Sequence, residues 1–413
     1  MKRKKTQKTR MILLILLGLG LVIHFYLMLT NRTFLYKALA ATYLSGKTGP
    51  DIFDQKWFDT KEIAPSKNPK LIVKHPNYGK EQWSDEIIHL MNTYQTEAFW
   101  VLYRGELVIE KYFNEKDRSK AKNLTNSFSI AKSVISLMIE RARVLGYITS
   151  LDQPVADFLE FYRDEQRKHI TFRHLLDMSS GLEWTESNSD PFSDNARAYY
   201  DNDLWGMVKN AKFTRPAGKF FKYQSGSTQI VGAALAKALP SEKYPNGLSD
   251  FLQQEFWEPL GMPDVAFWGL DHAKGIEKTY CCLYTTIENF AHLGQFLLDE
   301  IQKKDNNFLT EFYLETIVKP NTELWDEDRE EKNQRYGLGF WHTQHEGLKM
   351  TYASGALGQR IIVIPEKDLV IVRTGNQKVL PDFVPKKDEL DVHFYVYLVQ
   401  EMLEKMGIKH EGS

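Results

Sequence analysis

A serine and a lysine three residues apart, Ser129 and Lys132, stand where the apolar stretch from Ile130 to Leu145 begins to read as a helix. Residues at that spacing share one helix face, so the lysine amine reaches the serine hydroxyl with no help from elsewhere in the chain. A serine hydroxyl is a weak nucleophile at neutral pH until a neighbouring base takes its proton. A lysine amine, ordinarily protonated up to about pH 10.4, becomes such a base when burial and the positive end of a helix dipole disfavour its cation. The pair is therefore a candidate nucleophile with its own base. The same spacing recurs at Ser119 and Lys122, but in the charged run Glu115 to Lys122, where no apolar helix could bury the amine; it reads as solvated loop. For Ser129 the plain alternative is a helix cap followed by a surface lysine.

Two further segments bear on that choice. Tyr223-Gln224-Ser225 follows the turn Pro216-Ala217-Gly218-Lys219, and Ala353-Ser354-Gly355 opens a glycine-bearing stretch before the strand Ile361 to Ile364. In this order the three segments resemble the serine β-lactamase and penicillin-binding-protein superfamily, in the class C-related branch with carboxylesterases, D-aminopeptidases and 6-aminohexanoate-dimer hydrolases. The resemblance spans about residues 85 to 405 and extends to intervening phrases: Leu151-Asp152-Gln153-Pro154-Val155, Ile170 to Leu176, Ser179-Ser180-Gly181-Leu182 and Tyr336-Gly337-Leu338-Gly339-Phe340. It implies a serine hydrolase acting through an acyl-enzyme on Ser129, with Lys132 and Tyr223 sharing the proton. It also implies an oxyanion site made by the backbone amides of Ser129 and Ala356, with Ser225, Ser354 and Gly355 beside the substrate.

Two departures from the family pattern shape the expected substrate. The second motif usually ends in asparagine, and here it ends in Ser225, which keeps one hydrogen-bonding function of the amide and loses the other. The third motif usually begins with lysine or histidine, and here it begins with Ala353, which cannot hold a substrate carboxylate by charge-assisted hydrogen bonds. Arg360 is near enough in sequence to substitute, unless strand alternation points it outward. The expected substrate is thus a small amide, ester or peptide of the carboxylesterase or 6-aminohexanoate-dimer kind. The alternatives are a cell-wall D,D-peptidase or β-lactamase, and a catalytically silent protein that binds a wall fragment. Glu183-Trp184 and Ala198-Tyr199-Tyr200 fall where relatives carry a loop over the pocket.

The elements that must position these residues follow from hydrophobic pattern. Ala98 to Tyr103 and Glu106 to Phe113 are apolar and β-branched runs split by Arg104-Gly105, which reads as a hairpin. Similar runs return near the end, at Leu338 to Thr343, Leu348 to Tyr352, Gln359 to Ile364 and Leu369 to Thr374, before an amphipathic helix from Asp391 to Met406. The stretch between is mainly helical, with Leu248 to Phe256 and Thr286 to Glu300 its clearest members. Strands, then helices, then strands predict an α/β (α+β) fold, an antiparallel sheet built from both chain ends, flanked by helices, with a helical region inserted. The expected division is a basic N-terminus and transmembrane signal anchor over 1–30, a linker or surface wrap over 31–84, and a hydrolase domain over 85–407. Within that domain, 85–128 and 336–407 belong to the sheet and 129–335 to the helical part.

The formal net charge of −1 over 413 residues hides an asymmetry, because six Lys and Arg residues precede the apolar run from Met11 to about Thr30 and the first acidic residue is Asp51. A run of that length crosses a bilayer, and its basic flank predicts a cytoplasmic N-terminus with the remainder outside. A cleaved signal peptide, with Ala38-Leu39-Ala40 as the small-residue site, is the alternative. The basic tract stops where the bilayer would start, so membrane orientation accounts for it and nucleic acid is not an expected partner. The only cysteines, Cys281 and Cys282, are adjacent and cannot staple distant parts of the fold. No metal-ligand cluster, Gly-x-Ser-x-Gly elbow or phosphate loop is evident, so no cofactor or metal is expected, and His174 and His292 read as structural.

Overall fold

Seven strands pair in one antiparallel sheet, in the spatial order Tyr336–Gly337, Phe340–His345, Leu348–Gly355, Gln359–Ile364, Leu369–Gly375, Thr96–Tyr103 and Glu106–Tyr112. The two chain ends meet inside it, where Leu369 lies opposite Tyr103 and Val372 opposite Trp100. A computed structural model describes residues 2–113, 123–187, 189–302, 308–345, 347–378 and 390–408 of the chain. The second serine-lysine pair, Ser119 and Lys122, lies outside the described residues.

These strands read as continuous apolar runs because both faces of the sheet are covered. Alternate side chains leave opposite faces: Trp100, Leu102, Ile361, Val363, Val370 and Val372 pack with the helices Ile130–Val144 and Ile287–Ile301. Their neighbours Phe99, Val101, Ile362, Ile364 and Ile371 pack with Val392, Tyr395, Val399 and Leu403 of the C-terminal helix Leu390–Lys405. The expected architecture is therefore the observed one, an antiparallel sheet from both chain ends with helices on its faces and a mainly helical region between.

Two local differences from the expected elements have physical reasons. The strand expected from Leu338 to Thr343 is interrupted, since Leu338 and Gly339 take left-handed φ values of 42° and 87°. A Cβ at residue 339 would overlap Ser136; that close approach lets Ser133 and Ser136 donate to the carbonyls of Gly339 and Leu338 and tie the Ile130–Val144 helix to the sheet. The segment 31–84, expected as a linker or surface wrap, contains the helix Phe34–Ala41 and the strand Thr60–Ile63. The strand joins Ala266–Gly269, Leu283–Thr285 and Thr125–Asn126 in a second sheet, and Ile63 is fully buried. A four-residue strand at a sheet edge carries too little periodicity to be seen in sequence.

At the N-terminus the helix Lys2–Leu29 contains one segment, Lys8–Leu29, long and apolar enough to cross a membrane. Its apolar side chains from Met11 to Phe25 stand exposed.

Candidate active site

Ser129 and Tyr223 each come shortly after a two-residue strand, and Ser354 and Gly355 end a strand of the large sheet. Thr125–Asn126 pairs with Leu283–Thr285 and ends three residues before Ser129. The Asn126 carboxamide oxygen accepts from the Phe128 amide at 2.9 Å and the Cys282 amide at 3.0 Å. Those bonds hold Phe128 at a φ of 44°, a conformation that side chains bulkier than glycine seldom adopt. Ser129 then occupies the N-cap position of the Ile130–Val144 helix, yet its side chain makes no capping hydrogen bond. The hydroxyl instead accepts from Lys132 Nζ at 2.7 Å, and Tyr223 lines the same cavity.

Lys132 is 1% exposed and also donates to the Tyr280 carbonyl at 3.1 Å. Burial pulls its pKa from 10.5 down to about 8, and the negative charge of Glu186 opposes part of the fall. Its ammonium lies 4.9 Å from the Tyr223 ring centroid. Burial raises Tyr223 well above the ordinary tyrosine range, so the phenol keeps its proton at neutral pH. A buried amine that is partly neutral near pH 8, a hydroxyl in contact with it and a protonated phenol can together move a proton onto and off the serine oxygen.

Tyr223 follows the two-residue strand Phe220–Phe221 and packs among Phe221, Tyr336 and Trp341. Ser225 opens the helix Ser225–Ala238, which packs on the Ile130–Val144 helix. Ser354 and Gly355 end the strand Leu348–Gly355, where a Cβ at residue 355 would overlap the Ser127 carbonyl oxygen. Only glycine lets the third motif come this close to the loop carrying Ser129. Ser129, Tyr223, Ser225, Ser354, Gly355 and Ala356 all line one cavity of about 650 Å³, with Lys132 directly behind Ser129.

Several residues of this site carried no signal in the sequence. Gln359 donates to the Ala356 carbonyl at 3.0 Å, and buried Arg373 donates to the Leu357 carbonyl at 2.8 Å, so the turn carrying the Ala356 amide is held from below. Glu186, two residues beyond Glu183-Trp184, lines the cavity and accepts from both the Ser225 amide and hydroxyl at 2.7 Å. Tyr199 and Tyr200 line it as well, whereas Trp184 packs over Gly226. Trp341 and Tyr280 complete the aromatic lining. Cys281 and Cys282 are bonded to each other in the turn after Tyr280. His174 bonds back to the Thr171 amide at a helix start, and His292 is held near pKa 4 by burial; neither lines the cavity.

Arg360 does not point outward. It lies opposite Ser354 in the sheet register and is buried, donating to the Gly355 and Gln359 carbonyls and pairing with Asp391 of the C-terminal helix at 2.8 Å. The guanidinium thus lines the cavity with its charge already paired to Asp391. Asp391→Ala should leave that buried charge uncompensated and destabilise the fold by about 3–5 kcal/mol, read as a lowered denaturant midpoint at unchanged slope.

Comparison with known proteins agrees with this geometry. A family model described as Beta-lactamase matches residues 89–394. Among solved structures, a Bacillus anthracis protein assigned as a 6-aminohexanoate-dimer hydrolase superposes with a TM-score of 0.70 at 19% identity, covering 86% of this chain and 93% of its own. A beta-lactamase/D-alanine carboxypeptidase from Yersinia pestis gives 0.54 at 17% identity, with 76% and 95% covered. A penicillin-binding protein from Bacillus halodurans gives 0.53 at 14% identity, with 76% and 99% covered. No curated protein matches the chain. At these identities the superpositions establish the fold, and the family model covers most of the chain. The protein therefore belongs to the beta-lactamase family.

Proposed function

We propose that the protein hydrolyses amide or ester bonds of small substrates through a covalent acyl-enzyme on Ser129. It does so outside the cytoplasm, attached to the membrane by its N-terminal helix. The observation that carries this reading is the 2.7 Å contact between Ser129 Oγ and a buried lysine whose pKa is about 8. In the first step Lys132 takes the hydroxyl proton as Oγ attacks the carbonyl carbon, and the negative oxygen is received by the amides of Ser129 and Ala356. Tyr223 passes a proton to the departing amine or alcohol, and Lys132 restores it. Water then repeats the sequence on the acyl ester, freeing the acid and Ser129.

Specificity for an amide or ester without a neighbouring carboxylate follows from three features. Residue 353 is alanine, the two cations that line the cavity, Arg360 and Lys378, are both paired with Asp391, and the Glu186 carboxylate lines the cavity and would oppose an anionic substrate group. The test is to treat the full chain in detergent with a fluorophosphonate probe, a p-nitrophenyl ester and a chromogenic cephalosporin. Labelling and ester turnover are expected with slow cephalosporin turnover. Silence toward all three would leave a binding protein, and rapid cephalosporin hydrolysis would favour a β-lactamase or D,D-peptidase.

Tyr223→Phe is expected to lower kcat by about 10²–10³-fold while fluorophosphonate labelling of Ser129 persists at a reduced rate. Equal kcat in wild type and variant would reduce the phenol to a packing role.

A further inference from the structure

The cavity wall away from Tyr223 is built by the segment that follows the N-terminal apolar helix. Leu35, Ala38 and Leu39 of the helix Phe34–Ala41 line it, together with Tyr43 and Pro50. This segment is docked: Phe34, Ala41 and Ile52 bury against Phe128, Tyr199 and Tyr200. The Ile52 amide donates to the Asn376 side chain at 3.1 Å, its carbonyl accepts from the Asn126 amide at 2.8 Å, and Arg32 lies 5.0 Å over the Phe192 ring.

Two consequences follow from that docking. The apolar helix ends at Leu29 and, after a turn over residues 30–33, the wall begins at Leu35, so if the helix spans a bilayer, the cavity stands within about 20 Å of the helix end, the most that six extended residues can reach. Leu39 and Tyr43 of the lining and the adjacent Leu44 are apolar and exposed, at 45%, 68% and 76%. Tyrosine beside a span suits the interface, and a contiguous exposed apolar patch marks a place where apolar ligands or membrane arrive.

The side of the cavity assigns the part of the substrate. Tyr223, the donor to the leaving group, packs with Trp341, whereas Leu35 and Ala38 pack against a different apolar cluster, one that holds Phe128, Tyr199 and Tyr200. With the leaving group toward Tyr223, the apolar Leu35-Ala38 side of the same cavity is left for the acyl group. Resting on the hydrolase and membrane readings above, we infer that the substrate is an amphiphilic ester or amide whose linear acyl chain lies along this wall and is drawn from the membrane surface. Ser129 Oγ takes the acyl carbon, the leaving alcohol or amine departs with a proton, and water cleaves the new ester to release the fatty acid and regenerate the hydroxyl.

The test uses the full chain in phosphatidylcholine vesicles with p-nitrophenyl acetate, butyrate and octanoate. Each methylene withdrawn from water is worth about threefold to fourfold, so kcat/KM is expected to rise at least tenfold from acetate to octanoate. In Ala38→Trp and Leu39→Trp the octanoate-to-acetate ratio should fall at least tenfold, with fluorophosphonate labelling used to count only folded enzyme. A chain-length profile that is flat or falling, or a ratio unmoved in both variants, overturns the acyl-chain assignment while wild-type labelling and acetate turnover leave the hydrolase reading standing. If wild type shows neither labelling nor acetate turnover, the hydrolase reading fails and this inference with it.

Discussion

Ser129→Ala is expected to abolish ester turnover, by about 10⁵-fold or more in kcat, the scale on which removal of an activated serine acts in serine hydrolases. Fluorophosphonate labelling should disappear with it. The same substitution should change stability by less than about 1 kcal/mol. A serine that served as the helix cap would cost about 0.5–2 kcal/mol on truncation, but the Ser129 side chain makes no capping bond and instead accepts from Lys132. Steady-state kinetics and urea denaturation of the one variant therefore separate the two roles. Retained turnover with a cap-sized loss of stability would return Ser129 to a structural part.

Lys132→Met should lower kcat by about 10³–10⁴-fold, as loss of a positioned general base does. In wild type the acylation rate is expected to climb as pH rises through about 8, because the neutral amine is the form that accepts the proton. Lys132→Met should lack that limb in its residual activity. The lysine also leaves a signature in stability. Its folded pKa of about 8 lies below the unfolded value of 10.5. Between those values the unfolded chain holds a proton that the folded chain does not, so stability rises with pH across this window. The contribution is fully present above about pH 10.5 and is lost as pH falls through 8. The gap corresponds to about 3 kcal/mol, so wild type should gain about that much on Lys132→Met between pH 8 and pH 10.5, read from paired denaturation curves. A pH-independent difference between the two proteins would mean that the amine is not buried in the cation-disfavouring site described here.

The antiparallel sheet from both chain ends was legible because its strands are long apolar runs and its helices carry a clear apolar face; these patterns are local. The serine, lysine and tyrosine were legible for a related reason. Ser129 and Lys132 meet through helical spacing alone, and Tyr223 stands in a motif of three adjacent residues. Short elements were not legible, and Thr60–Ile63 shows why: four residues carry too few periods, and its pairing with Ala266–Gly269 spans about two hundred positions.

What sequence alone determined, then, is the family resemblance, the pairing of Ser129 with Lys132 one helical turn away as a candidate nucleophile and base, and the apolar run at the N-terminus. Tertiary structure decided everything that depends on approach between distant segments. It set the burial that brings the Lys132 pKa to about 8, the engagement of Arg360 by Asp391, and the seating of Glu186 on Ser225. It also brought Leu35 and Ala38 to the cavity wall. The physical reason is common to all four. Desolvation and charge pairing depend on what surrounds a group in three dimensions, and those surroundings come from parts of the chain far from the group itself.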